Sequence, residues 1–168
     1  LRGKECSTQQ MPFISEKIPT FEEFANASIE EIYGEEIVDA YERKVTSFES
    51  IILINKGENK FEIEKLPPLA QSIPILTSDT YDFNDDGYDD VIIAGNIYNT
   101  EVETPRLDNQ FALILISDKK SNYGIVAPEK SGLYLSGNTK SLKIIKDENP
   151  KLLVANNNSN LEVFELNN

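Results

Sequence analysis

The sequence predicts a mainly β protein with an N-terminal helical segment. Two helix-start signals followed by helical spacing lie within the first 46 residues, and from Ser47 onward the pattern changes to short apolar runs bounded by turn residues. The pattern of these runs also recurs along the chain. We therefore divide the chain into a helical segment at 1–46 and a β part at 47–168.

Two capping boxes predict the helices. Thr20 precedes Glu23 by three residues, and Ser28 precedes Glu31 by three, so each pair can satisfy the free amides at a helix start. Apolar residues at helical spacing follow both signals. The expected helices span 20–33 and 35–45, with Gly34 closing the first of them.

A repeat with a period of about 62 residues organises the β part. The apolar run at 51–54 matches the run at 113–116, and 91–96 matches 152–157 at nearly the same offset. A fixed period is typical of repeat architectures, and about 60 residues suit one four-stranded unit with a long connection. The predicted repeats cover 47–110 and 111–168.

Residues 82–90 of the first repeat carry oxygen donors at the spacing of a calcium loop. Asp82, Asn84, Asp86 and Asp90 occupy positions 1, 3, 5 and 9, and the carbonyl of Tyr88 stands at position 7. Gly87 at position 6 permits the sharp turn that such a loop needs. Ca²⁺ prefers six to eight hard oxygen ligands, so we expect this ion as the cofactor. The alternative is an ion-free turn between two strands.

The loop is not an EF-hand. Position 12 is Ile93 instead of a bidentate Glu, and it lies in the apolar run 91–94, which predicts a strand. The combination DFNDDGYDDVIIAGN resembles the FG-GAP/VCBS-type repeat of β-propellers. The resemblance implies about two β-propeller-like blades of antiparallel sheet, with Ca²⁺ bound between two strands of one blade. Because two blades cannot close a ring, we expect either an open structure or pairing of its edges with another copy.

The second repeat has lost the metal ligands. Aligned on 152–157, it places Lys143 opposite Asp82 and Lys151 opposite Asp90. An ammonium group at a ligand position repels a divalent cation. We therefore expect one calcium site in the chain.

Composition excludes several classes of function. The formal net charge of −13 opposes binding to nucleic acid. The sequence has no histidine, which removes the Ser-His-Asp mechanism and the usual zinc ligands, and its one cysteine, Cys6, cannot form an internal disulfide. No apolar stretch is long enough for a transmembrane segment, and the start at Leu1 without a leader suggests a piece of a longer protein.

Two functions fit these observations. The first is a non-catalytic binding or structural module of an exported bacterial protein that is secreted, periplasmic or on the cell surface. Its partner would be a protein or glycan ligand, or upstream blades of the parent chain. The second is a carbohydrate-active lyase or hydrolase that uses acidic residues of the polar loop at 97–108. The candidate ligand-binding residues in that loop are Glu101, Glu103, Arg106 and Asp108.

Overall fold

The computed structural model describes residues 3–120 and 122–166, and it divides the chain into two compact units, Leu1–Thr46 and Ser47–Asn168. Within the described residues, nine strands form three antiparallel sheets and all helices are short. The mainly β prediction is thus confirmed. No helix in this described part has the length and apolarity that crossing a membrane requires.

Short helices build the first unit around a small apolar core. Ile14, Ile18 and Ile32 are buried at its centre, and Phe24 packs against them. A helix that covers so small a core needs few turns, which matches the lengths observed. The helices are α1 (Lys4–Gln10), α2 (Phe13–Lys17), α3 (Phe21–Asn26) and α4 (Ile29–Tyr33), followed by a 3₁₀ turn at Gly34–Ile37.

Both predicted capping boxes are present. The Thr20 hydroxyl accepts the amide of Glu23 at 3.1 Å, and the Ser28 hydroxyl accepts the amide of Glu31 at 3.2 Å. The second box also corrects the prediction of one helix over 20–33. As an N-cap, Ser28 takes an extended backbone, so the chain forms α3 and α4 with a break at Ala27.

The predicted helix over 35–45 is wrong. Gly34 ends α4 in a positive-φ conformation, and after the 3₁₀ turn the chain continues in turns and irregular backbone to residue 50. Val38, Tyr41 and Val45 are exposed, so a helix there would bury no apolar face. A short helix without such burial is not stable in water.

The second unit contains all nine described strands. They are β1 (Ile51–Asn55), β2 (Phe61–Lys65), β3 (Thr77–Tyr81), β4 (Asp90–Ala94), β5 (Leu113–Ser117), β6 (Tyr123–Val126), β7 (Thr139–Ile145), β8 (Lys151–Asn156) and β9 (Glu162–Glu165). A 3₁₀ turn at Pro68–Ser72 follows β2, and α5 (Pro128–Ser131) follows β6. Each short helical piece begins with a proline in its first turn, where the missing amide costs nothing.

The strands pair in an order that the sequence did not predict. Strands β1 and β2 form a separate hairpin sheet, β3-β4-β5-β6 form the central sheet, and β7-β8-β9 form the third sheet. The central sheet takes two strands from each predicted repeat, 47–110 and 111–168. The sheet boundaries therefore lie one hairpin away from the boundaries of the predicted repeats.

The period itself recurs in the elements. Strand β5 begins 62 residues after β1, at Leu113 against Ile51, and β7 begins 62 residues after β3, at Thr139 against Thr77. Matching bonds close the hairpin turns, from Lys56 N to Lys60 O and from Asp118 N to Asn122 O, each 2.9 Å. One supersecondary unit, two successive hairpins, thus occurs twice.

Apolar clusters cover both faces of the central sheet. Ile92, Ala94 and Ile114 pack with Leu142 and Val154 of the third sheet. Neighbouring residues point the other way: Ile93, Leu113 and Leu115 pack with Leu66, Ala70 and Ile73, which follow the hairpin sheet. A strand that is buried on both faces reads as a continuous apolar run, which explains the sequences of β4 and β5.

Candidate metal centre

The predicted calcium loop connects β3 to β4 at one end of the central sheet. Strands β3 and β4 pair antiparallel, with Tyr81 opposite Asp90, so residues 82–89 form the hairpin connection. Strand β5 lies on the other side of β4 in antiparallel register. The turn after β5 therefore lies at the same end of the sheet as the loop.

The side chains of the first three candidate metal ligands accept hydrogen bonds from backbone amides of the loop itself. Both carboxylate oxygens of Asp82 accept bonds, from the amide of Asp86 at 3.0 Å and from that of Gly87 at 2.7 Å. The Asn84 side chain also accepts the Asp86 amide, at 3.1 Å, and the Asp86 side chain accepts the Tyr88 amide at 3.0 Å. Gly87 has φ +82°, a conformation that residues with a Cβ rarely adopt. These bonds curl the loop toward Asp82.

Asp90, the last side-chain donor, is fully buried. Its carboxylate accepts the amide of Phe83 at 3.1 Å and the amide of Ser117 at 2.9 Å. A buried carboxylate is costly unless hydrogen bonds replace its water shell. The two amides supply that replacement and tie the loop to the end of β5.

A lysine from the β5–β6 turn reaches the loop. The Lys119 ammonium lies 3.3 Å from a carboxylate oxygen of Asp86 and 4.5 Å from the centre of the Tyr88 ring. Burial would raise the pKa of Asp86, but the Tyr88 amide and the Lys119 ammonium outweigh it and hold that pKa below its usual value. A positive charge therefore already sits beside one predicted ligand.

The donor set matches the chemistry of Ca²⁺, with four side-chain oxygens and one backbone carbonyl, all hard ligands. In the described residues, however, no three acidic, cysteine or histidine side chains converge closely enough to hold a metal ion. Two of the five predicted donors, Asn84 and the Tyr88 carbonyl, are not acidic. Binding of an ion therefore requires the carboxylates of Asp82, Asp86 and Asp90 to turn toward one centre.

The corresponding loop of the second repeat is shorter than predicted. Strand β7 continues to Ile145, so only residues 146–150 connect it to β8. Lys143, which was expected opposite Asp82 at a ligand position, lies inside β7 opposite Leu153. That expectation is wrong because β7 contains a register shift and has seven residues against five in β3.

The polar loop after β4 holds a compact cluster at its base. The Tyr98 hydroxyl donates to Asp108 at 3.0 Å, and Arg106 pairs with the same carboxylate at 2.8 Å. The Arg106 guanidinium also lies 4.7 Å from the centre of the Tyr98 ring. Burial and the Asp108 carboxylate together raise the pKa of Tyr98. Of the four predicted ligand-binding residues, the structure thus joins Arg106 and Asp108.

Glu101 and Glu103 lie at the exposed tip of this loop. The amide of Thr104 donates to the Glu101 carbonyl at 2.9 Å and forms a local turn. Cavities of about 580 and 450 Å³ in the second unit are lined by residues outside 97–108. The tip therefore presents its carboxylates on an open surface.

Sequence reasoning missed two residues that contact the β3–β4 loop, Ser117 and Lys119. Ser117 ends β5 and Lys119 lies in the turn after it, both more than twenty-five residues after Asp90. They reach the loop because β5 pairs with β4, and no sequence motif predicts that pairing. The available signal was that both strands are continuous apolar runs, which is typical of strands buried on both faces of a sheet.

Comparison of the chain with protein families, curated proteins and solved structures gives no match.

Proposed function

We propose that this chain is a calcium-binding, non-catalytic binding or structural module of an exported bacterial protein. The observation that carries the proposal is the β3–β4 loop. It brings donors at calcium-loop spacing to the end of a sheet, and its last donor, Asp90, is already buried and bonded to amides of the loop and of β5. An ion there would link the loop to two strands.

The bound ion would use the side-chain oxygens of Asp82, Asn84, Asp86 and Asp90 together with the carbonyl of Tyr88. Ca²⁺ would offset two of the three carboxylate charges at the site, in a chain whose net charge is −13. Oxygen–calcium distances of about 2.3–2.6 Å are expected. Sites of this kind fill where free calcium is plentiful, which favours an extracytoplasmic location.

We also propose that the sheets are blades of the FG-GAP/VCBS type. Support comes from the central sheet, a four-stranded antiparallel meander with a neighbouring sheet element on each face. The recurrence of two hairpins with a 62-residue period adds to that support, as in the step from Ile51 to Leu113. The hairpin sheet and the third sheet would then be parts of adjacent blades.

The exposed loop at 97–108 is the proposed contact for a protein or glycan ligand. Its tip offers Glu101 and Glu103, and its base is stiffened by the Arg106–Asp108 ion pair. Binding fits this arrangement better than lyase or hydrolase chemistry. A general acid needs a carboxyl group that burial or a neighbouring carboxylate keeps protonated. These two side chains are exposed to solvent.

Calorimetric titration of chelator-treated protein tests the calcium proposal. One equivalent of Ca²⁺ should bind, and an excess of a hundredfold over the dissociation constant should raise the free energy of unfolding by about 2.7 kcal/mol. Asp86→Ala should abolish both effects. The matched control is Asp89→Asn, an exposed neighbour that stands off the ligand spacing and should retain them. Absence of binding in the wild-type chain would identify the loop as an ordinary turn.

A further inference from the structure

The hairpin sheet exposes an apolar face of the second unit. Ile51, Leu53, Phe61 and Ile63 are 40%, 57%, 58% and 62% exposed. They lie on one face because side chains alternate along a strand and because Leu53 stands directly opposite Ile63. Four large apolar side chains on one small sheet form a patch that soluble monomers seldom leave open.

The repeat shows what covers this face elsewhere in the chain. Adding 62 residues to each member gives Leu113, Leu115, Tyr123 and Ile125 of the central sheet. Leu113 and Leu115 are fully buried there, and Tyr123 and Ile125 pack against the same cluster. We call this side of a sheet the leading face. It is covered in the central sheet and open in the hairpin sheet.

The opposite side, the trailing face, carries Ile92 and Ile114 in the central sheet and packs against the third sheet. In the third sheet, Leu153 pairs with Val163 as Ile92 pairs with Ile114. Val163 is 53% exposed, and Ile145 and Leu161 are exposed as well, whereas Leu152 and Val154 on the other side are buried. The third sheet thus leaves its trailing face open.

The second unit therefore ends in two open faces of different kinds. One is the leading face of the hairpin sheet, and the other is the trailing face of the third sheet. Inside the unit, a leading face always packs against a trailing face: the central sheet joins the third sheet in this way through Ile92, Ile114, Leu142 and Val154. The two open faces correspond in position to the two halves of that contact, and the trailing face of the third sheet also carries Lys143, Lys151 and Glu165.

We propose that a second copy of this chain docks on the hairpin sheet in a head-to-tail arrangement. The leading face at Ile51, Leu53, Phe61 and Ile63 of one copy packs against the trailing face at Ile145, Leu153, Leu161 and Val163 of the next. Such a contact is heterologous, so it either closes into a ring or continues into a chain of copies. The proposal does not depend on calcium.

The negative net charge of the chain makes the proposed assembly depend on salt concentration. Two copies with a net charge of −13 each repel one another, and salt screens that repulsion while apolar contact persists. Association should therefore strengthen when NaCl is raised from about 0.15 M to about 0.5 M. A contact that depended on ion pairs would weaken under the same change.

Sedimentation velocity of the full chain, up to about 100 µM, tests the proposal through complementation. Leu53→Glu damages only the leading face, and Val163→Glu damages only the trailing face, so each variant alone should be monomeric. Their mixture should form a one-to-one dimer, because each variant keeps the face that the other has lost. The dissociation constant for self-association should be about tenfold or more higher in either variant than in the wild type.

Val102→Glu is the matched control, since Val102 is fully exposed in the polar loop outside both faces and its variant should associate like the wild type. Phe61→Lys, a second change on the leading face, should repeat the result of Leu53→Glu. Circular dichroism of each variant checks that it remains folded. A monomeric wild type in both salts overturns the proposal. So does association that Leu53→Glu abolishes and Val163→Glu leaves intact, because two leading faces would then meet each other.

Discussion

At the residue scale, carboxylates of the β3–β4 hairpin replace backbone pairing where the strands end. Asp90 accepts amides from Phe83 and Ser117, and Asp82 accepts amides from Asp86 and Gly87. Each bond satisfies a donor that the sheet ladder leaves unpaired. The hairpin therefore has a defined shape before any ion is considered, and calcium binding would require its carboxylates to turn toward the ion.

Asp90→Ala should lower the free energy of unfolding by about 2–6 kcal/mol, because it leaves two amides without acceptors at about 1–3 kcal/mol each. Urea unfolding in the presence of a chelator measures this loss apart from any effect of calcium. Asp89→Ala removes an exposed carboxylate next to it and should change the value by about 0.5 kcal/mol or less. Equal losses in the two variants would contradict the role assigned to Asp90.

Lys119→Met should strengthen calcium binding by about twofold to fivefold. The ammonium lies 3.3 Å from Asp86 and must lose that contact when a divalent ion takes the same carboxylate. Exposed ion pairs are worth about 0.2–1 kcal/mol, which sets the size of the gain. Calorimetric titration of the two proteins side by side measures it, with Lys120→Met, one residue further along the same turn, as the control. Weaker binding in Lys119→Met would show that the lysine supports the site.

Residue spacing nominates five candidate metal ligands in the loop but says nothing about their surroundings. The spacing of Asp82, Asn84, Asp86 and Asp90 is a property of nine consecutive residues, so sequence alone reveals it. Ser117 and Lys119 belong to the site through the pairing of β4 with β5. Pairing between distant strands depends on which faces become buried together, and a single sequence does not state that.

At the scale of elements, side chains of β3 help to hold β7 in place. Asp79 accepts the amide of Ile144 at 2.7 Å and pairs with the Lys143 ammonium at 2.9 Å, while the Thr77 hydroxyl accepts the amide of Leu142 at 3.1 Å. These bonds satisfy β7 amides along its edge. Two sheets that also share an apolar core are thus joined by polar contacts.

Asp79→Asn should flatten the loss of stability in acid. Burial raises the pKa of Asp79, but the Ile144 amide and the Lys143 ammonium outweigh it, so the net shift is downward. A lowered pKa stabilises the fold above the unfolded value of about 3.9 and loses that contribution as pH falls through the folded value. The variant should therefore be less stable by about 1–2 kcal/mol at pH 7, and this deficit should shrink as the pH falls below about 3.9.

Urea unfolding at pH 7 and near pH 3 measures this difference. Glu103→Gln, which removes an exposed carboxylate in the polar loop, is the control and should leave the pH dependence unchanged. A deficit in Asp79→Asn that stays constant from pH 7 to pH 3 would show that the charge of Asp79 contributes nothing.

Gly95→Ala should destabilise the end of β4 by about 1–3 kcal/mol. A Cβ at Gly95 would run into the Pro74 carbonyl oxygen and lie 2.8 Å from the amide nitrogen of Leu76, and these are backbone atoms that cannot swing aside. At Gly124 in β6 the nearest atom would be the Ile116 carbonyl oxygen at 4.0 Å. Gly124→Ala should consequently be neutral or slightly stabilising. Thermal unfolding of both variants makes the comparison, and similar shifts in the two would refute it.

Local signals predicted elements well where they act through neighbouring residues. Both capping boxes and the strand runs at 51–54, 91–94 and 113–116 form as expected. Helices α1 and α2 were missed because their sequence is mixed and poorly periodic, and the expected helix at 35–45 fails for lack of a surface to cover. Tertiary burial explains α2, which buries Ile14, and the missing helix at 35–45.

At the scale of the whole molecule, each described apolar cluster draws its members from one unit. Ile14, Ile18 and Ile32 form the core of Leu1–Thr46. Both clusters around the central sheet consist of residues of Ser47–Asn168, among them Leu66 and one residue of β1. A unit whose apolar core consists only of its own residues can fold independently. The sequence predicted the period of the β part, while the grouping of hairpins into sheets depends on long-range contacts.

A fragment of residues 47–168 should therefore fold cooperatively without the first 46 residues. Its far-ultraviolet circular dichroism should show the β-sheet signal, and its urea midpoint should lie close to that of the full chain, because the clusters on both faces of the central sheet stay complete. The fragment 73–168 is the informative comparison. It lacks Leu66 and Ala70, so the leading face at Leu113 and Leu115 becomes exposed, and its stability should fall by several kcal/mol, about 25 cal/mol for each Å² of apolar surface uncovered. Unfolding of 47–168 without a cooperative transition would show that the first unit is required for the sheets to form.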